Sequence, residues 1–254
     1  MIKRCFAFGC SFTHWFYWPT WADFIGINYD QFYNLGMPGS SNRMVHNRLI
    51  EANAFYKFNE NDLVLVGVTN FGRLNWLEEI DNKLSWCCHG GPQNWPNNEK
   101  TKFLKNHFWK QNYGIYDTWL MVINSTQLFR ATNVNFKFIM SMDNSHFMSN
   151  EILQLADCEI EMSSEIYKNC VSQQSLQEFS KDTNHHPTAI EHFDYAKKYF
   201  PELLTEKSSI FMKEISNNIN FNCCDEESKI YGQIRARYLN DLAPINFPMY
   251  GKYH

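Results

Sequence analysis

An α/β fold organised on a parallel sheet is predicted by three observations. Short apolar runs of strand length alternate along the chain with segments whose apolar residues recur at helical spacing. The most β-branched run, residues 62–68 (Asp-Leu-Val-Leu-Val-Gly-Val), is apolar at consecutive positions, as strands buried on both faces are. The runs end in turns rich in Gly, Ser, Asn and Pro, and in such sheets sites form at the C-terminal strand ends.

In chain order, residues 2–8 read as a short buried strand that ends in Gly9-Cys10-Ser11-Phe12-Thr13. The glycine permits a tight turn, and the residues after it begin a helix whose N–H groups favour an anion. An aromatic-rich loop or short helix follows over 14–26, with Pro19 opening a helical turn. Residues 29–35 give a second strand and 36–42 a Gly/Pro/Ser turn. The next helix carries Met44, Val45, Leu49, Ile50 and Ala54 as its apolar stripe. The strand at 62–68 leads into Thr69-Asn70-Phe71-Gly72-Arg73. Residues 78–108 read as an irregular, lid-like insertion. A helix over 114–131, a strand over 134–142 and a weaker strand at 158–162 come next. The loop 179–188 contains Asp182, His185 and His186 and precedes a helix bearing Ala189, Ile190, Phe193, Ala196 and Phe200.

These elements place an α/β domain at 1–204 and a helical C-terminal extension at 205–254. The extension has helices at 206–219 and 225–242, the second with Ile230, Ile234, Tyr238 and Leu242 on one face and Arg235, Arg237 and Asp241 elsewhere. Its last residues, 243–254, are extended and aromatic, suited to packing back on the domain or to docking a protein partner.

Composition narrows the function. The net charge of −4, with no basic block, argues against a general nucleic-acid binder. No apolar run approaches the roughly 18 residues of a membrane span. Met1-Ile2-Lys3-Arg4 runs straight into a strand pattern, so no signal peptide is expected and synthesis in a cytoplasm is. The eight cysteines include no C-x-x-C pair, which fits free buried thiols in a reducing compartment. There is no Gly-x-x-x-x-Gly-Lys loop for a phosphate. His186 and His192 are spaced as zinc ligands can be, but no second Cys/His pair matches them. No metal or other cofactor is expected.

Acyl transfer at neutral pH needs a nucleophile, a base held in one tautomer, and donors for the oxyanion. Ser11 at a glycine turn supplies the first, and Asp182 with His185 or His186 supplies the second. Each feature alone also fits an ordinary polar turn or a capped helix start.

Taken together, the blocks resemble the SGNH/GDSL hydrolase family. Phe8-Gly9-Cys10-Ser11-Phe12-Thr13 is similar to its Gly-Asp-Ser-x-Thr block, with Cys10 in place of Asp. Residues 34–42 resemble the second block and Val66-Gly67-Val68-Thr69-Asn70 the third. His186-Pro187-Thr188-Ala189-Ile190-Glu191-His192 is similar to the last. The resemblance covers roughly residues 5–200. It implies a three-layer α/β/α sandwich with a five-stranded parallel sheet and Ser–His–Asp chemistry. In that chemistry Ser11 is the nucleophile, His186 the base (His185 the alternative) and Asp182 its orienting carboxylate. The backbone N–H groups of Ser11 and Gly39, with the Asn70 side chain (Thr69 the alternative), would bind the oxyanion.

The implied activity is a serine esterase. Trp15, Tyr17, Trp18, Trp86 and Trp95 suit stacking on sugar rings, which points to O-acetyl groups on a carbohydrate. The same rings suit an acyl chain, so a lipase or thioesterase stays open. A third reading is a family fold diverged into a structural or binding protein, such as a virion component, docked through 243–254.

Overall fold

The computed structural model describes residues 3–80, 83–87, 90, 96–107, 111–142, 174–180, 186–222 and 224–242. Strands β1 (Arg4–Phe8), β2 (Gln31–Asn34), β3 (Asp62–Val68) and β6 (Asn135–Met140) form one sheet in the order β2-β1-β3-β6. Every neighbouring pair is parallel: Ala7 lies opposite Asn34, Phe8 opposite Val66 and Val68 opposite Met140.

Consecutive side chains on these strands point to opposite faces, and both faces are dry. Cys5, Ala7, Leu63, Leu65 and Ile139 face one apolar layer, shared by helices α1 (Trp21–Gly26), α6 (Ala189–Tyr199), α7 (Glu206–Asn218) and α8 (Asp225–Tyr238). Phe6, Phe8, Val64, Val66, Phe138 and Met140 face the other, covered by α2 (Asn42–Tyr56) and α4 (Gln111–Thr132). Each fully buried Val or Leu on β3 contributes about 1.5–3 kcal/mol of burial. This is the α/β/α arrangement that the continuous β3 run predicts. Because α1 and α2 lie on opposite faces, the strand order reverses between β1 and β3. That crevice is where ligands bind in open α/β sheets.

Four expectations need correction. Among the described residues the sheet has four strands rather than five, and the strand expected at 158–162 lies outside those residues. A further edge position is taken by the C-terminal segment: Asp241 bridges Phe32 in parallel, with Phe32 N–H donating to Asn240 O (3.1 Å) and Leu242 N–H to Phe32 O (2.8 Å). Leu242 therefore lies beyond α8 rather than on its apolar face.

The insertion at 78–108 is not irregular throughout. Its start pairs as an antiparallel hairpin of β4 (Trp76–Ile80) and β5 (Lys83–Cys87). The register sets Ile80 opposite Lys83 and Trp76 opposite Cys87. Helix α3 (Glu99–His107) follows, its first turn held by Asn98 Oδ1 accepting from Thr101 N–H at 2.9 Å. On α2 the buried stripe is Met44, Val45, Leu49 and Ala52, joined by Arg48, while Ile50 is exposed. A short helix α5 (Leu176–Phe179) precedes α6. Among the described residues no helix is long and apolar enough to cross a membrane.

Beyond residue 204 the chain joins the existing core, with Phe211, Ile215, Tyr231 and Ile234 in the same apolar layer as Trp21 and Phe24. A buried polar cluster ties this layer to the sheet edge. Arg235 pairs with Asp241 and, at 3.5 Å, with Asp23, which is only 1% exposed. Asp23 Oδ2 accepts from the Thr20 N–H (2.9 Å) and hydroxyl (3.2 Å), and Asp241 accepts from Asn34 N–H (3.3 Å). Flanking acids push the Arg235 guanidinium pKa upward despite its burial.

Candidate active site

The turn after β1 is built around Gly9, whose φ of +154° L side chains rarely adopt. A Cβ there would fall 2.1 Å from Thr13 Oγ1 and 3.3 Å from Gly67 Cα, so the turn lies hard against β3. The Cys10 carbonyl accepts from both Thr13 N–H (2.9 Å) and His14 N–H (3.1 Å), closing one helical turn. Ser11 and Phe12 are at its start, and among the described residues no backbone carbonyl accepts from their N–H groups. That is the donor arrangement an anion needs. The turn is anchored below: the Thr13 carbonyl accepts from Asn34 Nδ2 (2.9 Å) and the Thr20 hydroxyl (2.7 Å). Ser11 itself is 5% exposed.

Two further loops are stitched to this turn. After β2, Met37 N–H donates to Gly9 O at 2.9 Å, and Gly39 turns with φ +78°. Asn75 fixes that turn from the β3 side, donating through Nδ2 to Gly39 O (3.3 Å) and accepting from Ser41 N–H. Among the described residues the Gly39 N–H has no acceptor. After β3, Asn70 Oδ1 accepts from Gly72 N–H at 2.7 Å, which orients its amide and leaves Nδ2 without an acceptor among the described residues. Helix α4 supports this loop closely: a Cβ on Gly114 would lie 1.8 Å from the Phe71 carbonyl oxygen.

Thr69 is placed differently. It is fully buried, its N–H and C=O are both held by the Asn42 side chain at 2.8 Å, and its hydroxyl meets Met142 Sδ at 3.8 Å. Its hydroxyl is therefore engaged, in contrast to the Asn70 amide.

His186 reaches the Ser11 turn through aromatic contacts. Its ring stacks on Trp15 (centroids 3.7 Å apart, planes at 11°) and meets Phe12, the neighbour of Ser11, edge-on at 5.2 Å. Among the described residues His186 Nε2 is buried with no hydrogen-bond partner, so no bond from Ser11 Oγ reaches that atom. Burial, and next the Arg73 charge, lower the His186 pKa to about 4. Burial, and next His186, lower that of His192 to about 3. Both rings are neutral at pH 7, and the lowered pKa makes His186 a weaker base than an ordinary imidazole.

A measurable pH dependence follows. In the unfolded chain both histidines take up protons near their ordinary pKa of about 6.5. In the folded chain they stay neutral down to about 4 and about 3. The unfolded state therefore binds more protons in this window. Their contribution to stability is complete above about pH 6.5 and falls with pH, by up to about 2.7 kcal/mol per unit for two protons. Urea unfolding at pH 7, 6 and 5 is expected to show stability falling with pH, with His14 and His46, whose pKa values burial also lowers, adding in the same direction, and His186→Gln should lessen the slope by about one proton.

Of the remaining predicted site residues, Trp18 belongs to the core: it is 2% exposed and its indole N–H donates to Pro187 O at 2.9 Å. This bond sets the start of the His186–α6 segment, so Trp18 positions the histidine instead of offering a stacking surface. Trp15 has one face taken by His186. Tyr17 is half-buried beside Trp15, with ring centroids 5.6 Å apart. Trp86 lies on β5. Asp182, His185, Trp95 and the tail 243–254 lie outside the described residues. The sequence reading missed Asn34, Asn42 and Asn75 as loop clamps, and it missed Arg73. The richness in Asn of the turns after β2 and β3 was the available signal, since Asn side chains hold turns.

No family model matches this sequence, and no curated protein matches it. Among solved structures the chain is similar to a member of the lipolytic protein G-D-S-L family from Veillonella parvula DSM 2008. The two are 10% identical, the alignment covers 78% of this chain and 98% of that one, and the TM-score is 0.41.

Proposed function

We propose that this protein is a serine esterase of SGNH type that removes an O-acetyl group from a carbohydrate. The observation that carries the reading is the stitching of three strand-end loops at the sheet's switch point. These loops carry a serine at a helical turn and polar groups that have no acceptor among the described residues, namely the N–H groups of Ser11 and Gly39 and the Asn70 Nδ2, which supports the reading. Ser11 Oγ attacks the acyl carbon and His186 takes its proton, with Asp182 orienting the ring. The tetrahedral oxyanion is held by the three donors, its collapse expels the sugar hydroxyl, and water then releases acetate. The imidazolium formed in the attack lies on the Trp15 face, which offsets part of what burial and the Arg73 charge cost it. The nearly buried Ser11 side chain, 5% exposed, favours a small acyl group.

Acetate release from acetylated polysaccharide, set against cleavage of a long-chain acyl thioester, tests the reading. Faster turnover of the thioester would assign a thioesterase. No turnover of either would favour a diverged binding or structural protein.

A further inference from the structure

Arg73 stands at the junction of the two loops that supply the oxyanion donors. Its N–H donates to Asn70 O at 3.3 Å, so its own position is set by the Asn70 turn. Its Nη1 reaches across to Ser40 O at 3.3 Å, next to Gly39. A guanidinium has five N–H donors in a rigid fork. Among the described residues one carbonyl occupies one of them, and no carboxylate pairs with the charge. The side chain is half-buried, so its charge is only partly screened by water. It also acts on His186, where it opposes protonation.

We infer that Arg73 selects esters whose alcohol part carries a carboxylate, which on a carbohydrate means an acidic sugar. The inference rests on the esterase reading and names its substrate class. Such a carboxylate meets the open side of the fork in the bidentate geometry that arginine favours. It also neutralises the charge that resists proton transfer to His186 during attack on the ester. A neutral acetylated sugar leaves the guanidinium unpaired and the base opposed.

Two matched acetyl esters make the test: 4-acetoxybenzoate, which is anionic, and its neutral methyl ester. Each kcat/KM is divided by the rate of alkaline hydrolysis to remove leaving-group reactivity. The expected preference for the anion is about tenfold, the scale of one charge-assisted hydrogen bond, and it shrinks with added salt. Arg73→Gln should erase the preference, and Arg73→Lys should keep part of it. Circular dichroism of both variants verifies that they fold. Equal rates for the two esters in the native protein, or a preference that survives in a folded Arg73→Gln, would overturn the inference. Binding of the same two compounds to Ser11→Ala separates this from the esterase reading, because it needs no turnover. An Arg73-dependent preference there without hydrolysis by the native protein would uphold the charge selection and remove the esterase. Equal binding would overturn the charge selection alone.

Discussion

Ser11→Ala is expected to lower kcat for acetyl-ester hydrolysis by about 10⁵–10⁶, the scale of losing a triad nucleophile. The change removes one oxygen from a 5%-exposed side chain, and no hydrogen bond of that hydroxyl holds the described fold together. The turn is held instead by Cys10 O, by Asn34 and Thr20 on the Thr13 carbonyl, and by Met37 on Gly9. Folding and stability should therefore stay within about 0.5 kcal/mol of the native chain. The donors on Gly39 and Asn70 also remain, so substrate binding survives while covalent catalysis does not. Steady-state kinetics with circular dichroism measures both. A variant that keeps a tenth of the native kcat would place the nucleophile elsewhere.

Arg235→Met is expected to destabilise the fold by about 3–5 kcal/mol, because it strands buried charge rather than because it removes an attraction. Asp23 is 1% exposed and Asp241 10%, and Arg235 is the cation between them. Burial also pushes the neighbouring Tyr231 hydroxyl well above its ordinary pKa, with Asp23 adding to the shift, so Tyr231 stays neutral and adds no further negative charge. A shift of the urea midpoint without a change in m would measure the loss. Adding Asp23→Asn should return part of it, since the stranded charge is then gone. The cluster bears on the site as well: Thr20 bonds both Asp23 and the Thr13 carbonyl, and Asn34 bonds the same carbonyl while its N–H meets Asp241. Slack in the cluster is slack beneath Ser11.

These two positions show what was legible in the sequence. Strands β1 and β3 were legible because both of their faces are buried, so their apolar runs are continuous and end in turn residues, whereas β6 opens on exposed Asn135 and Lys137 and is buried only from Phe138 to Met140. Ser11, Gly39 and Asn70 were legible as loop residues following β1, β2 and β3, and His186 as a residue just ahead of α6. The hairpin at 76–87 was not, because a two-stranded ribbon carries a weak alternation that the Trp and Cys residues obscure. Arg235 sits on α8 among other charged residues, and nothing in a helical pattern tells a buried arginine from a solvated one. Its partners, Asp23 and Asp241, are 212 and 6 residues away. Trp18 reads as a binding aromatic in sequence and is a strut in structure, since only the fold reveals that Pro187 O waits for its N–H. Arg73 escaped notice for the opposite reason: its meaning comes from Ser40 and His186, which other loops deliver.

Ser11 is proposed as a nucleophile activated by His186. Labelling with a fluorophosphonate, followed by mass mapping of the adduct, addresses this most directly. One adduct is expected, on Ser11, absent in Ser11→Ala and formed at least about 10²-fold more slowly in His186→Gln, the contribution expected of a general base. An unlabelled native protein, an adduct on another residue, or native labelling speed in His186→Gln would contradict that assignment.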